Sequence, residues 1–418
     1  MRRMLSQCIL LVILNVIMLI SPSLCWSFYS HSNDNYDVNL DGSFAAGFGG
    51  AKYPDFEFMN DNDIEKAWYG DLRFLADAAI GERFGVQMNV LQNVRSTPIF
   101  LFTPTEGLQK DVERSGLFYW QQHDSNNTQA AMVFDSGYFK YGDRSNELLV
   151  GRQPISTTVT FFFSPNDFFA PFSPNTFYRV YKPGVDALRY ERSLATLSQL
   201  SVIGVLGYEK ELASDSGWSD APEWDRSSIL GRVTHTAGDF ELGVLYGIVR
   251  ESMVTGFSLQ GELYQWLGIR AEGHYADSWG EDQESGSMVT VSLEHRFPSS
   301  LTLRFEQMYN GYGPDSIADA LTDRQHGVSG QGYLGRNYSA FDLNYQISPL
   351  LIGEILYLRN WSDDSYSLSF NAVYSTSDES ELALTANIPG GDGPEGNQIR
   401  SELGSLPVQI AFEYRYYF

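Results

Sequence analysis

The residues best placed to do chemistry lie in one stretch, "GRQPISTTVTFFFSPNDFFAPFSPNTFYRVYKPGVDALRY", residues 151–190. It carries Arg152, Asp167, Arg179, Lys182, Asp186 and Arg189, with Glu191 and Arg192 just beyond it. Cations and carboxylates crowded together, with no nucleophile and base among them, suit work on charge rather than on bonds. Lining a narrow passage, they set a transverse field that sorts solutes by charge and dipole. Paired with one another, they brace the segment instead, and the two roles are compatible. The stretch also holds Phe161, Phe162 and Phe163, and prolines at 165, 171, 174 and 183. Prolines and consecutive aromatics do not make a strand ladder. A loop this apolar packs against a wall, so Phe163 is expected at the narrowest point with the charges.

The wall comes from what surrounds that stretch. Strand-like segments recur from residue 37 onward, each with side chains of two characters at a period of two. Phe257, Leu259, Gly261 and Leu263 alternate with Ser258, Gln260 and Glu262, and Leu301, Leu303 and Phe305 alternate with Thr302, Arg304 and Glu306. Eighteen such segments can be read, with sixteen as the alternative. The connections between them alternate short ("GE" at 81–82, "SP" at 348–349) and long (96–128, 157–184, 313–334). Tight turns on one rim and long loops on the other define an all-β, antiparallel, up-and-down transmembrane barrel. With no helices to cover the apolar faces, the polar faces turn inward. Arg232, Glu262, Arg270, Glu272, Arg304 and Glu306 are then pore-lining.

The ends of the chain fit that reading. "MRRMLSQCILLVILNVIMLISPSLCW" has an n-region with Arg2 and Arg3, an apolar run and small residues, the pattern of a signal peptide over 1–25 for Sec export. The remainder, 26–418, is expected to be one barrel. Both cysteines, Cys8 and Cys25, lie in the signal, so disulfides and thiolate metal sites are excluded from the rest, as is a c-type haem of its own. With 52 acidic and 28 basic residues the net charge is −24, which disfavours nucleic acid as a partner. The last strand ends "FEYRYYF", with Phe412, Tyr414, Tyr416 and Phe418 on one face. That stripe resembles the assembly signal of Gram-negative outer-membrane proteins, which implies the barrel assembly machinery as a partner. The acidic long loops suggest contact with outer-membrane lipid and lipopolysaccharide through divalent cations.

The "LLVGRQ…NDFFAPF…GVDALRY" pattern resembles stretches of poorly characterised outer-membrane porin-like families. In bacterial porins the third outer loop folds into the lumen, and 157–184 holds that ordinal place. The resemblance implies a water-filled channel in the outer membrane for ions or small hydrophilic solutes, in some porins as a homotrimer. A second implied role is a sheath around a multihaem cytochrome, the haem belonging to the partner. No cofactor is expected. Hydrolase chemistry lacks support: there is no Gly-x-Ser-x-Gly or His-Glu-x-x-His, and the six histidines are scattered.

Overall fold

A computed structural model describes residues 29–54, 64–96, 112–211, 213–280, 284–313, 332–396 and 398–418. Residues 1–25, read as a signal peptide, the "DND" at 61–63 and His326 lie outside the described residues. Twenty strands are present among the described residues. They are β1 (Tyr29–Ser32), β2 (Tyr36–Lys52), β3 (Glu65–Ile80), β4 (Phe84–Ser96), β5 (Tyr119–Asp124), β6 (Thr128–Gly142) and β7 (Asn146–Gln153). Next come β8 (Val185–Ala195), β9 (Ser198–Lys210), β10 (Trp218–Ala237), β11 (Phe240–Val249), β12 (Ser252–Leu263) and β13 (Leu267–Ser278). The last are β14 (Gly286–Arg296), β15 (Leu301–Asn310), β16 (Asn337–Ser348), β17 (Leu351–Asn360), β18 (Tyr366–Ser377), β19 (Ser380–Gly390) and β20 (Val408–Tyr417).

Eighteen of them, all but β1 and β5, pair antiparallel with their neighbours in chain order, and β20 closes on β2. The result is a closed barrel. At the seam Gly42 and Phe418 exchange backbone hydrogen bonds of 2.7 and 2.9 Å. The Phe418 ring lies where a Cβ on Gly42 would stand, so only glycine fits there. Below this point β2 runs on, and β1 pairs with its residues 37–40 on the side that β20 has left.

The two strands outside the ring were not legible in the sequence. β5 falls within the connection read as 96–128. β7 stops at Gln153, whereas β6 climbs on to Thr128, and β5 pairs with residues 129–133 of β6 where β7 no longer reaches. A third difference is β10, which starts at Trp218, inside a connection read as 211–225. Pro222 sits there between register shifts, where a missing N–H costs no regular ladder bond.

Alternation gives the wall two environments. Phe257, Tyr275, Phe341 and Phe412 point outward and are exposed. On the inward side Ser258, Glu272, Asp342 and Glu413 are buried. The interior is not polar throughout: Val185, Ile203, Val205, Leu245, Met308 and Leu356 line the long-loop half and form one cluster with Phe162, Phe163, Phe168 and Phe169. An apolar inner wall is what an inward loop rich in phenylalanine needs, because its rings must leave water.

Candidate functional site

The segment between β7 and β8, residues 154–184, lies inside the barrel and is fixed at two places. On the β13–β15 wall two carboxylates hold it. Glu272 accepts the Thr158 hydroxyl at 2.8 Å, the Val159 N–H at 2.5 Å and the Asn166 N–H at 3.2 Å. Glu306 accepts three consecutive backbone N–H groups, Phe161 at 2.5 Å and Phe162 and Phe163 at 2.9 Å, and also the Ser292 hydroxyl. Successive amides turned to one side make a concave anion cradle, here filled by the protein's own side chain. Arg270 and Arg304 lie over the Phe161 ring, at 4.1 and 4.7 Å from its centroid, and Arg270 donates to the Val159 carbonyl.

The second fixing point is across the bore, at the seam. Tyr178 meets Tyr417 hydroxyl to hydroxyl at 3.1 Å, beneath the Arg415 guanidinium at 3.9 Å. Tyr181 lies under Arg73 at 4.4 Å and reaches Ser43. The loop thus runs from β7 to the β13–β15 wall, then to β20, β2 and β3, before entering β8.

Within the loop the charges are spent on the loop itself. Lys182 pairs with Asp167 at 2.6 Å and donates to the Ala170 carbonyl. Burial pushes the Asp167 carboxyl above its usual range, and Lys182 offsets part of that rise. Arg179 donates to the carbonyls of Thr176, Pro174 and Phe161. Phe163 is fully buried and packs against both Tyr333 and Tyr338, which also touch each other.

The expected residues therefore separate into groups. Phe163, Asp167, Arg179 and Lys182 belong to the loop, and Arg270, Glu272, Arg304 and Glu306 to the wall it grips. Glu272 and Glu306 are fully buried beneath it rather than facing the bore. Arg152 and Asp186 are elsewhere. They sit opposite each other in the β7–β8 register, on the outward face of Val150 and Leu188, and pair at 2.8 Å. Residues 115–118 cover them: the Ser115 amide donates to Asp186, and Phe118 lies on Arg152. Reading them as constriction charges rested on their place beside the loop 157–184, but on a strand parity decides the face. Arg189 and Glu191 face inward lower on β8, 3.6 Å apart. Arg232 touches Ser258 at 3.3 Å, and Glu262 is exposed near the short-turn rim.

Other participants were missed. Tyr178 and Tyr181 carried no periodic signal. Glu113, from the segment before β5, is shared by Arg226 at 3.0 Å and Arg250 at 3.1 Å. Burial raises the Glu113 carboxyl, but the two guanidiniums and the Tyr208 amide hold it below its usual range. This trio borders a cavity of about 420 Å³ on the long-loop side, walled by Phe168–Pro174, Val185 and Val205. Arg226, Arg250 and Glu113 are the charged groups of its lining.

A closed antiparallel barrel of eighteen strands with a loop pinned across its bore is the architecture of a porin. No protein-family model and no curated sequence matches the chain. Solved structures do. Acinetobacter baumannii OccAB3 superposes with a TM-score of 0.57 at 11% identity, over 91% of this chain and 99% of its own. A BenF-like porin from Pseudomonas fluorescens Pf-5 gives 0.57 at 11%, over 92% and 100%. Pseudomonas aeruginosa OpdK, solved with vanillate, gives 0.52 at 10%, over 91% and 98%. At these identities the likeness is one of fold: the chain has the fold of outer-membrane porins.

Proposed function

We propose that the protein is an outer-membrane channel that passes small hydrophilic solutes, narrowed by the loop 154–184. The observation that carries this reading is the double anchorage of the loop, by Glu272 and Glu306 on one wall and by Tyr178 and Tyr181 at the seam. A loop clamped at both sides of a bore restricts passage without moving. It also argues for solutes over a threaded cytochrome, which needs an open bore. The guanidiniums of Arg226 and Arg250 in the cavity lining favour small organic anions at the outer entrance, in keeping with the vanillate found with OpdK. Planar-bilayer recording of the refolded protein tests the reading: discrete single-channel steps with a reversal potential set by ion selectivity are expected, and a silent, correctly folded barrel refutes it.

A further inference from the structure

The outward face of β2 and β3 at the long-loop rim combines three features. First, Lys52 and Lys66 both point outward. Gly50 pairs with Lys66, and Lys52 lies two residues further along β2, so the lysines are diagonal neighbours on one face. Diagonal side chains of this kind stand about 7–8 Å apart, close enough for two long ammonium arms to reach one group. Both are exposed, and neither has an ion-pair partner among the described residues. Most other cations of this acidic chain are spent inside the barrel or paired.

Second, the surface just below is apolar and aromatic. Phe48 and Trp68 face each other in the register and are 64% and 46% exposed, and Phe48 stacks on Phe412 at 5.5 Å. Third, that surface is indented. The next pair down is Ala46 and Gly70, and a Cβ added to Gly70 would meet nothing within 4 Å. Small residues next to large rings leave a shallow dip in the surface just below Phe48 and Trp68.

Cations at the rim, an indole ring at the boundary and a dip in the apolar band match a molecule with an anionic head and a hydrocarbon tail. We propose that this face holds one phosphate-bearing lipid of the outer leaflet, with its phosphate between Lys52 and Lys66 and an acyl chain over Ala46 and Gly70. The inference rests on the outer-membrane reading above for its setting, but not on conduction.

The test is native mass spectrometry of the delipidated barrel in detergent, titrated with bisphosphorylated lipid A. The wild type should retain one lipid through mild activation. The Lys52→Gln, Lys66→Gln double variant should bind about thirtyfold more weakly, about 2 kcal/mol, from roughly 1 kcal/mol for each basic residue near anionic headgroups. Gly70→Leu, which fills the dip and leaves the charges, should also weaken retention. Dephosphorylated lipid A should bind the wild type no better than the double variant binds lipid A. Equal retention by the wild type and the double variant overturns the proposal. So does inorganic phosphate binding as tightly as the lipid, since that marks a free-anion site. Lysine-dependent retention by a barrel that conducts nothing keeps the lipid site and removes the channel.

Discussion

Glu306 lies directly under the turn at Phe162, and one of its oxygens accepts the amides of both Phe162 and Phe163 at 2.9 Å. Residues 144 and 143 apart in sequence are joined there by the strongest kind of hydrogen bond the loop makes, with a charged acceptor. This contact decides whether the loop is a fixture or a flap.

Glu306→Gln keeps the volume but turns an N–H₂ group toward amides that need an acceptor. Hydrogen bonds to a charge are worth about 1.5–3 kcal/mol each, so the loop should lose its seat on this wall. Single-channel conductance should rise, and the barrel should unfold at lower denaturant. Glu262→Gln, at an exposed position near the short-turn rim, is the control. If the two variants conduct alike, the clamp does not limit the pore.

At the seam, Phe418→Ser and Gly42→Val should fail in the same way, because each destroys the fit between that ring and that glycine. Less heat-modifiable barrel in the membrane fraction is the expected result for both. Normal assembly of Gly42→Val would show that the fit is unimportant and that Phe418 acts through recognition alone.

These two sites show where the sequence was readable. Period-two alternation identified the strands, their inward faces and the count of eighteen, because a barrel wall repeats one constraint at every strand. It could not tell Glu272 and Glu306 from Glu262, since all three alternate alike and differ in strand and in height along the barrel. The cradle they fill is made of backbone amides, which side-chain reading does not see. Arg152 and Asp186 were misplaced because they were grouped with the neighbouring loop by proximity, and strand parity was not followed to their face. β5 was invisible because its pairing follows from β7 stopping early, which is a property of register.

Leu259→Arg and Gln260→Arg test the two faces one residue apart. Leu259 faces outward, and a cation in the apolar band costs about 2–4 kcal/mol near its midplane. Gln260 faces inward, 3.1 Å from Glu241, and an arginine there gains a partner. The first should lower the melting temperature and the second should not. Equal effects would mean that the register of β12 is off by one.

Glu402, in the connection between β19 and β20, accepts from Tyr338, Asn360 and the Leu334 amide. Burial raises its carboxyl from 4.5 to about 7. The seated β19–β20 connection therefore holds a proton that it gives up on release, and its seating is strongest below pH 4.5 and weakens as pH rises through about 7. Amide exchange at Leu334 should quicken between pH 5 and pH 8 beyond its intrinsic rate, and Glu402→Gln should remove that excess. A pH-independent excess in the wild type would contradict the assignment.

Arg226 is one of the two guanidiniums that line the outer cavity. Arg226→Gln removes one of these two guanidiniums and leaves Arg250 with Glu113. Within a Debye length, about 8 Å in physiological salt, a passing anion loses that attraction. The reversal potential should shift toward cations, most clearly at low salt. No shift would place the solute path away from this cavity.

Where β20 ends at Gly42, β2 still has residues to pair, and β1 turns back to cover residues 37–40. A bare strand margin is a template: another chain can add to it and start a growing sheet. The short return of β1 takes up that margin and leaves in its place only its own four-residue outer edge, a short template for a second copy. Cutting the chain between β1 and β2 should therefore show itself less as lost stability than as self-association through the uncovered margin.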